Sequence, residues 1–203
     1  MTVIEQKPQW GVNYDVGFDG FTSRQKDFLN AGINWFERWD AIPGTPPVSH
    51  AFKIVGPDLT IEALANGVTH GKLSNYINDP NCAVIIRRPA GWTPDMGARL
   101  KAAMESHLGE KYNYLMIIMM AIGHSYLGHG IDKLTHGKFS VWLEELADNK
   151  RHDICSSTVA RANNAITELR NRGILKTPPF EIMPIMLCGD PVIYEPGAIE
   201  LVP

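Results

Sequence analysis

The cysteine at position 155 stands in a setting that suits nucleophilic chemistry. It opens the segment CSSTVARANN, where small polar residues follow the thiol and a helix is predicted over 153–172, ended by Gly173. Free N–H groups and the dipole at a helix N-terminus stabilise a thiolate and can also stabilise an oxyanion. Cys155 is therefore a candidate nucleophile toward a carbonyl carbon. A small apolar core residue is the equal alternative on local sequence alone.

A cysteine nucleophile needs a proton acceptor, and the order of the chain restricts where it lies. All seven histidines precede Cys155, so its base must come earlier in the chain. His50 is the best-placed candidate because it lies on a predicted strand, 49–55, between the small residues Ser49 and Ala51. A rigid strand can hold an imidazole toward a helix terminus. The alternative is a half-buried strand histidine without a catalytic role.

A glutamate on the next predicted strand completes the candidate site. Turn residues 56–58, Gly-Pro-Asp, join strand 49–55 to strand 59–64 and predict a hairpin. Same-face neighbours in such a pair lie within hydrogen-bonding reach, which places Glu62 near His50. Its carboxylate would orient the imidazole and favour the charged form. A solvent-facing strand glutamate is the alternative.

Four short motifs, taken in order, resemble those of a known family. They are SHAFKI, TIEALANGV, LGEKYNY and DICSS, over about residues 48–160. The order resembles the YiiX-like, circularly permuted branch of the NlpC superfamily of papain-like cysteine hydrolases, which is distantly related to the lecithin-retinol acyltransferases. The resemblance implies His50 as base, Cys155 as nucleophile and Glu62 as the polar partner of the base. It also implies that Tyr112 faces the pocket and can donate to an oxyanion; a core tyrosine is the equal alternative.

The sequence departs from this family at two places near the site. The segment WDAIPGTPP, upstream of His50, lacks the Gly-Asp pair of the family. The strand residues FKIV that follow Ala51 are less apolar than their family counterparts, because Lys53 stands among them. Residues 174–203 have no counterpart in the family.

The remaining pattern predicts an α+β fold in which a small antiparallel sheet packs against helices, with the His strand before the Cys helix. One domain is expected over 1–203, with an irregular lead-in at 1–40 and an irregular tail at 174–203. Further predicted elements are a polar loop around Gly67 and Gly71, a strand at 82–88, a capped helix from Thr93 to Leu108 ended by Gly109, helices at 112–122 and 139–149, and a strand-like piece at 181–187.

Composition restricts the class of protein. The chain of 203 residues is 44% hydrophobic and 20% charged, which is typical of a globular domain. A net charge of -3 without a Lys/Arg run argues against a nucleic-acid partner. Cys82 and Cys188 lie far from Cys155 in the chain, so packing thiols are expected rather than a disulfide framework. We expect no transmembrane segment, because the longest apolar run, 115–122, is too short, and no signal peptide. These features predict a protein that is cytoplasmic when made, with any role outside the cell requiring release or a virion.

A zinc site is the main alternative chemistry. His124, His129 and His136 are spaced H-x4-H-x6-H with Asp132 between them, and zinc can bind such residues. The stretch is rich in glycine and contains no HExxH motif, so we expect no metal and no other cofactor.

Taken together, these patterns predict a thiol-dependent hydrolase that cleaves an amide bond of a peptide or acyl substrate. The resemblance favours cell-wall peptides of bacteria as substrates, in a bacterial or phage protein. One alternative is a lipid or thioester acyl hydrolase or acyltransferase on the same fold, with the apolar stretch 115–122 lining its pocket. Another is a binding or virion module without activity.

Overall fold

The computed structural model describes residues 14–24, 48–64, 66–111, 133 and 154–201, and it has the predicted α+β architecture. In this part of the chain six strands form one antiparallel sheet in the order β4-β3-β2-β1-β5-β6. The strands are β1 (Asp19–Arg24), β2 (His50–Gly56), β3 (Leu59–Leu64), β4 (Gly67–Gly71), β5 (Cys82–Arg87) and β6 (Ile199–Leu201). The helices are α1 (Ser74–Ile77), α2 (Pro94–Glu105), α3 (Cys155–Asn164) and α4 (Pro184–Cys188), with 3₁₀ turns at Gly173–Lys176 and Pro179–Glu181.

The hairpin β2–β3 forms as predicted, with a two-residue turn at 57–58. Its register pairs Phe52 with Glu62 and Ile54 with Thr60. Side chains therefore alternate between the two faces of the sheet, and His50 lies two residues from Phe52, diagonally across from Glu62.

The sheet has a hydrophobic cluster on each face. The larger one joins alternate strand residues such as Ala51 and Val55 to helices α2 and α3, through side chains such as Leu100 and Val159. The smaller one, on the opposite face, is closed by α1 and includes Phe18, Phe52, Ile54, Leu73, Tyr76, Cys82, Val84 and Ile86. The start of β2 thus lies between the face that carries α3 and the face that carries α1.

Helix α2 begins where its capping signal predicts. The Oγ1 of Thr93 accepts from the N–H of Met96 at 3.2 Å, and Pro94 occupies the first turn. The helix ends at Glu105, three residues before the predicted end at Leu108. Gly109, at a φ of +83°, then reverses the chain so that its N–H donates to the carbonyl of Val68 on β4.

Two predicted irregular segments are strands instead. Residues 19–24, assigned to the lead-in, form β1, which lies between β2 and β5. The ring of Phe52 occupies the space where a Cβ of Gly20 would stand, so packing requires a glycine there. This glycine makes the segment look like a loop in the sequence. The predicted loop around Gly67 and Gly71 is β4, paired with β3 along its whole length.

The C-terminal part also differs from its prediction. The helix predicted over 153–172 ends at Asn164, and turns follow it. The piece at 181–187, predicted as strand-like, contains the start of α4, because Pro184 occupies the first helical position. The tail predicted as irregular ends in β6. The helices predicted at 112–122 and 139–149 lie outside the described residues, and none of the helices described is long and apolar enough to cross a bilayer.

Candidate active site

The first turn of α3 is fixed by the small polar residues that follow Cys155. Ile154, in extended conformation, is the N-cap residue, and its N–H donates to Ser157 Oγ at 2.9 Å. The Ser157 and Thr158 hydroxyls donate back to the Ile154 carbonyl at 2.9 and 3.0 Å. The Ser156 hydroxyl donates to the carbonyl of residue 182 at 2.5 Å, which ties the same turn to the C-terminal segment. The motif CSST therefore holds the thiol in a rigid position.

The thiol of Cys155, 5% exposed, has three donors around it. It is hydrogen-bonded to the ring of His50 and to the backbone N–H groups of Ala51 and Ser156. Ala51 lies one residue beyond the β2–β3 ladder, whose register begins at Phe52, so its N–H is directed at the sulfur instead of at β3. Burial raises the pKa of Cys155, but the His50 hydrogen bond and charge, with the two N–H groups, outweigh it and lower the pKa.

The imidazole of His50 lies between the thiol and a carboxylate. Its Nε2 is 2.8 Å from Glu62 Oε2, which leaves Nδ1 for the sulfur of Cys155. Burial lowers the pKa of His50, but the hydrogen bonds and charges of Cys155 and Glu62 outweigh it and raise the pKa to about 10. A lowered thiol pKa beside a raised imidazole pKa favours the thiolate–imidazolium form of the pair over the neutral thiol and imidazole.

The carboxylate of Glu62 is itself held by several contacts. Tyr76 on α1 donates its hydroxyl to Oε2, the oxygen that His50 also uses, and Thr60 donates to Oε1 at 3.2 Å. Oε1 lies over the backbone of Gly71, where a Cβ would collide with it. Burial raises the pKa of Glu62, but the hydrogen bonds and charge of His50, with Tyr76 and Thr60, lower it overall.

Aromatic packing fixes the tyrosine that completes this chain of contacts. The rings of Tyr76 and Phe52 are stacked, with centroids 5.1 Å apart and planes 7° apart. The His50 ring lies 6.0 Å from Tyr76 and 6.2 Å from Phe52. We call Cys155, His50, Glu62 and Tyr76 the thiol cluster.

The structure brings together three of the four predicted site residues, Cys155, His50 and Glu62. Tyr112 lies outside the described residues. Sequence reasoning missed Tyr76 and Thr60. Thr60 carried a usable signal, because it stands two residues before Glu62 on the same strand face. Tyr76, on a short segment after the sheet, carried none.

Two further predictions concern the remaining thiols and a metal. Cys82 and Cys188 are buried thiols, one in each hydrophobic cluster, as expected of packing thiols. Among the described residues no group of three or more His, Cys, Asp or Glu side chains could hold a metal ion. The histidines at 124, 129 and 136 lie outside those residues.

A second set of buried polar groups lies along the same strand and helix. Lys53 Nζ is 2.5 Å from Asp19 Oδ1 and donates to Asn163 Oδ1 at 2.6 Å. Asp19 Oδ2 in turn accepts from Asn163 Nδ2 and from the Tyr194 hydroxyl, both at 2.8 Å. We call these four residues the ion-pair cluster. Lys53 and Asn163 connect β2 to α3 and so fix the two elements that carry His50 and Cys155.

A scan against protein-family models finds no match to the chain, and a search of curated proteins finds no significant match.

Proposed function

We propose that the protein is a cysteine hydrolase that cleaves an acyl bond through a covalent thioester on Cys155, with His50 as the proton-transfer group. The observation that carries the proposal is the arrangement of Cys155 at the start of α3, beside His50, with the His50 ring 2.8 Å from the Glu62 carboxylate. A nucleophile, a base and a group that orients the base are the three parts that such chemistry needs.

In the first half of the reaction the thiolate attacks the carbonyl carbon of the substrate. The electron pair moves to the carbonyl oxygen, which the N–H of Cys155 in the first turn of α3 is placed to stabilise. When the tetrahedral intermediate collapses, His50 gives its proton to the leaving amine. The products of this half are a free amine and a thioester on Cys155.

In the second half water replaces the amine. Neutral His50 takes a proton from the water as it attacks the thioester carbon, and the thiolate leaves. The acid is released and the thiolate–imidazolium pair is restored. Glu62, hydrogen-bonded to Nε2, keeps the ring in one orientation and stabilises its charged form in the first half.

For the substrate, we propose an amide of a cell-wall peptide. The resemblance of the motifs around His50, Glu62 and Cys155 to the permuted papain-like hydrolases supports this choice. An ester or thioester would require the same steps, because the leaving group alone differs. The test must therefore compare the three substrate classes.

The experiment is a mass-spectrometric screen of purified protein against muropeptides, phospholipids and acyl thioesters. We expect new products from muropeptides with the wild-type protein and none with Cys155→Ala or His50→Ala. Products from phospholipids or thioesters alone would replace the amide assignment but keep the mechanism.

A companion experiment maps iodoacetamide adducts at mildly acidic pH. Fast labelling of Cys155 that His50→Ala removes is expected, and equal, slow labelling of Cys82, Cys155 and Cys188 would contradict an active ion pair.

A further inference from the structure

The hydroxyl of Tyr76 meets the same carboxylate oxygen as the catalytic imidazole. It donates to Glu62 Oε2, and His50 Nε2 lies 2.8 Å from that oxygen. The site is therefore a continuous chain from sulfur to imidazole to carboxylate to phenol. The last contact joins α1 to the sheet and was not indicated by any motif in the sequence.

The placement of the tyrosine suits control of the carboxylate rather than contact with substrate. Tyr76 is 8% exposed, is joined to His50 through Glu62 Oε2, and is stacked on Phe52 at 5.1 Å. A carboxylate that is 2% exposed has few ways to stay ionised, because burial disfavours its charge. Direct donors to its oxygens are the available compensation.

All of the groups that the described residues place against this carboxylate can be named. His50 reaches it from β2, Tyr76 from α1 and Thr60 from β3 itself, and the backbone of Gly71 on β4 lies under Oε1. His50 is the titratable group that links Glu62 to the Cys155 thiolate. Tyr76 and Thr60 are the neutral donors, one on each oxygen.

We propose that Tyr76 is a positioning residue that fixes and keeps ionised the Glu62 carboxylate, and thereby sets the acid limit of the thiolate–imidazolium pair. This inference rests on the proposed function. It predicts the direction in which the pKa of Glu62 changes when the hydroxyl of Tyr76 is removed. Without the phenol, Glu62 takes up a proton at a higher pH than in the wild-type protein. Once Glu62 is neutral, the buried imidazolium of His50 loses its anionic partner and returns its proton to the Cys155 thiolate, which leaves a neutral thiol and a neutral imidazole.

The test is the rate of iodoacetamide alkylation of Cys155, mapped by mass spectrometry, from acidic to neutral pH. Tyr76→Phe keeps the ring stacked on Phe52 and removes only the hydroxyl. We expect the acid limb of its profile to move up by about one pH unit, the size of one hydrogen bond to a charged group. Thr60→Val should move it in the same direction by less, because its bond to Oε1 is longer.

The matched control is Tyr194→Phe, which removes a phenol hydroxyl from another buried carboxylate, Asp19. It should lower the melting temperature and leave the alkylation profile unchanged. If Tyr76→Phe lowers the melting temperature in the same way and its profile overlays that of the wild-type protein, Tyr76 is structural and the inference is overturned. If wild-type Cys155 itself has no lowered thiol pKa, the proposed function fails first, so the two failures are distinguishable.

Discussion

The thiol cluster and the ion-pair cluster both include residues of β2 and α3 but differ in access to solvent. Cys155 and Asn163 lie eight residues apart on α3, about 12 Å along its axis. In the ion-pair cluster the Lys53 and Asp19 side chains are 0% exposed, whereas in the thiol cluster the His50 side chain is 13% exposed. One buried charge pair is fully enclosed, and the other includes a side chain that is partly exposed.

The difference in chemistry follows the difference in access. The groups of the ion-pair cluster satisfy one another, so this set can stabilise the packing of α3 on β2 but cannot meet a substrate. The thiol cluster contains a thiol whose anion is stabilised and an imidazole whose charged form is stabilised. The perturbed, buried charges for which we propose a function are those that include a thiol and a partly exposed imidazole. Four variants test that division, in order of decreasing effect.

Replacing the nucleophile should separate activity from stability most completely. We expect Cys155→Ala to reduce turnover by at least about 10³-fold, because no covalent intermediate can form. Its melting temperature should stay close to that of the wild-type protein, since the change removes one sulfur atom at the end of a helix. Product release from the substrate found in the screen, with calorimetry on the same samples, measures both.

Cys188→Ala is the matched control for this prediction. It makes the same chemical change at a thiol that is 0% exposed in the main hydrophobic cluster. It should lower stability by about 1 kcal/mol, the size of a small buried group, and leave turnover intact. Turnover that survives Cys155→Ala would remove the thiol from the mechanism.

Breaking the ion-pair cluster should lower stability and leave the reactivity of Cys155 unchanged. Asp19→Asn leaves Lys53 buried without its anionic partner, and loss of one partner of a buried pair costs about 3–5 kcal/mol. Burial already lowers the pKa of Lys53 against the opposing effect of Asp19, so neutral acceptors such as Asn163 Oδ1 would be left to compensate its charge. Urea unfolding should show the loss, while Cys155 in the protein that remains folded should alkylate at the wild-type rate.

The double variant Asp19→Asn/Lys53→Met sharpens this test. Removing both charges should recover part of the lost free energy of unfolding, because the uncompensated ammonium is gone. Tyr194→Phe should cost about 1 kcal/mol, as one neutral donor is lost. If Asp19→Asn left the free energy of unfolding unchanged, the Lys53–Asp19 pair would not be what holds α3 to β2.

Glu62→Gln should reduce turnover by about 10²-fold and leave some activity, because His50 loses its anionic partner but keeps its place on β2. The pH dependence has a defined sign. The pKa of His50 is raised from 6.5 to about 10, so protonation of the imidazole contributes stability that is fully present below 6.5 and is lost as the pH rises through about 10. In Glu62→Gln the pKa of His50 should fall. The basic limb of turnover, where the proton donor to the leaving group is lost, should then move to lower pH.

NMR titration of the His50 ring checks this shift without a substrate. Unchanged turnover together with an unchanged His50 titration would show that Glu62 does not orient the base.

The thiol cluster could be predicted from the sequence better than the ion-pair cluster, for a physical reason. His50 and Glu62 are joined by a hairpin whose turn residues are explicit, so local rules predict their proximity. The ion-pair cluster joins residues 19, 53, 163 and 194, which only the finished topology brings together. Its one local trace was Lys53 in an otherwise apolar strand, where a buried lysine requires a partner.

The same reasoning explains the errors in the fold. β1 lacks the alternating apolar pattern because Gly20 makes room for the ring of Phe52. β4 begins and ends in glycine, and the second of these lies under the Glu62 carboxylate. In both strands a long-range contact requires a glycine, and that glycine gives the local sequence the pattern of a loop.

The contact between Gly71 and the Glu62 carboxylate makes Gly71→Ala the variant with the smallest expected effect. A Cβ at this position would collide with Glu62 Oε1 and approach Thr60 Oγ1, so the carboxylate must move away from His50. We expect alkylation of Cys155 at mildly acidic pH to slow by about 10-fold, as a small misplacement of a supporting group does. The ion-pair cluster should be untouched. Gly91→Ala is the control: its φ of +68° makes alanine strained, but nothing lies within 4 Å of the added Cβ. It should lower stability by about 1 kcal/mol without changing the alkylation rate. If the two alanine variants alkylate alike, the carboxylate does not depend on the space above Gly71.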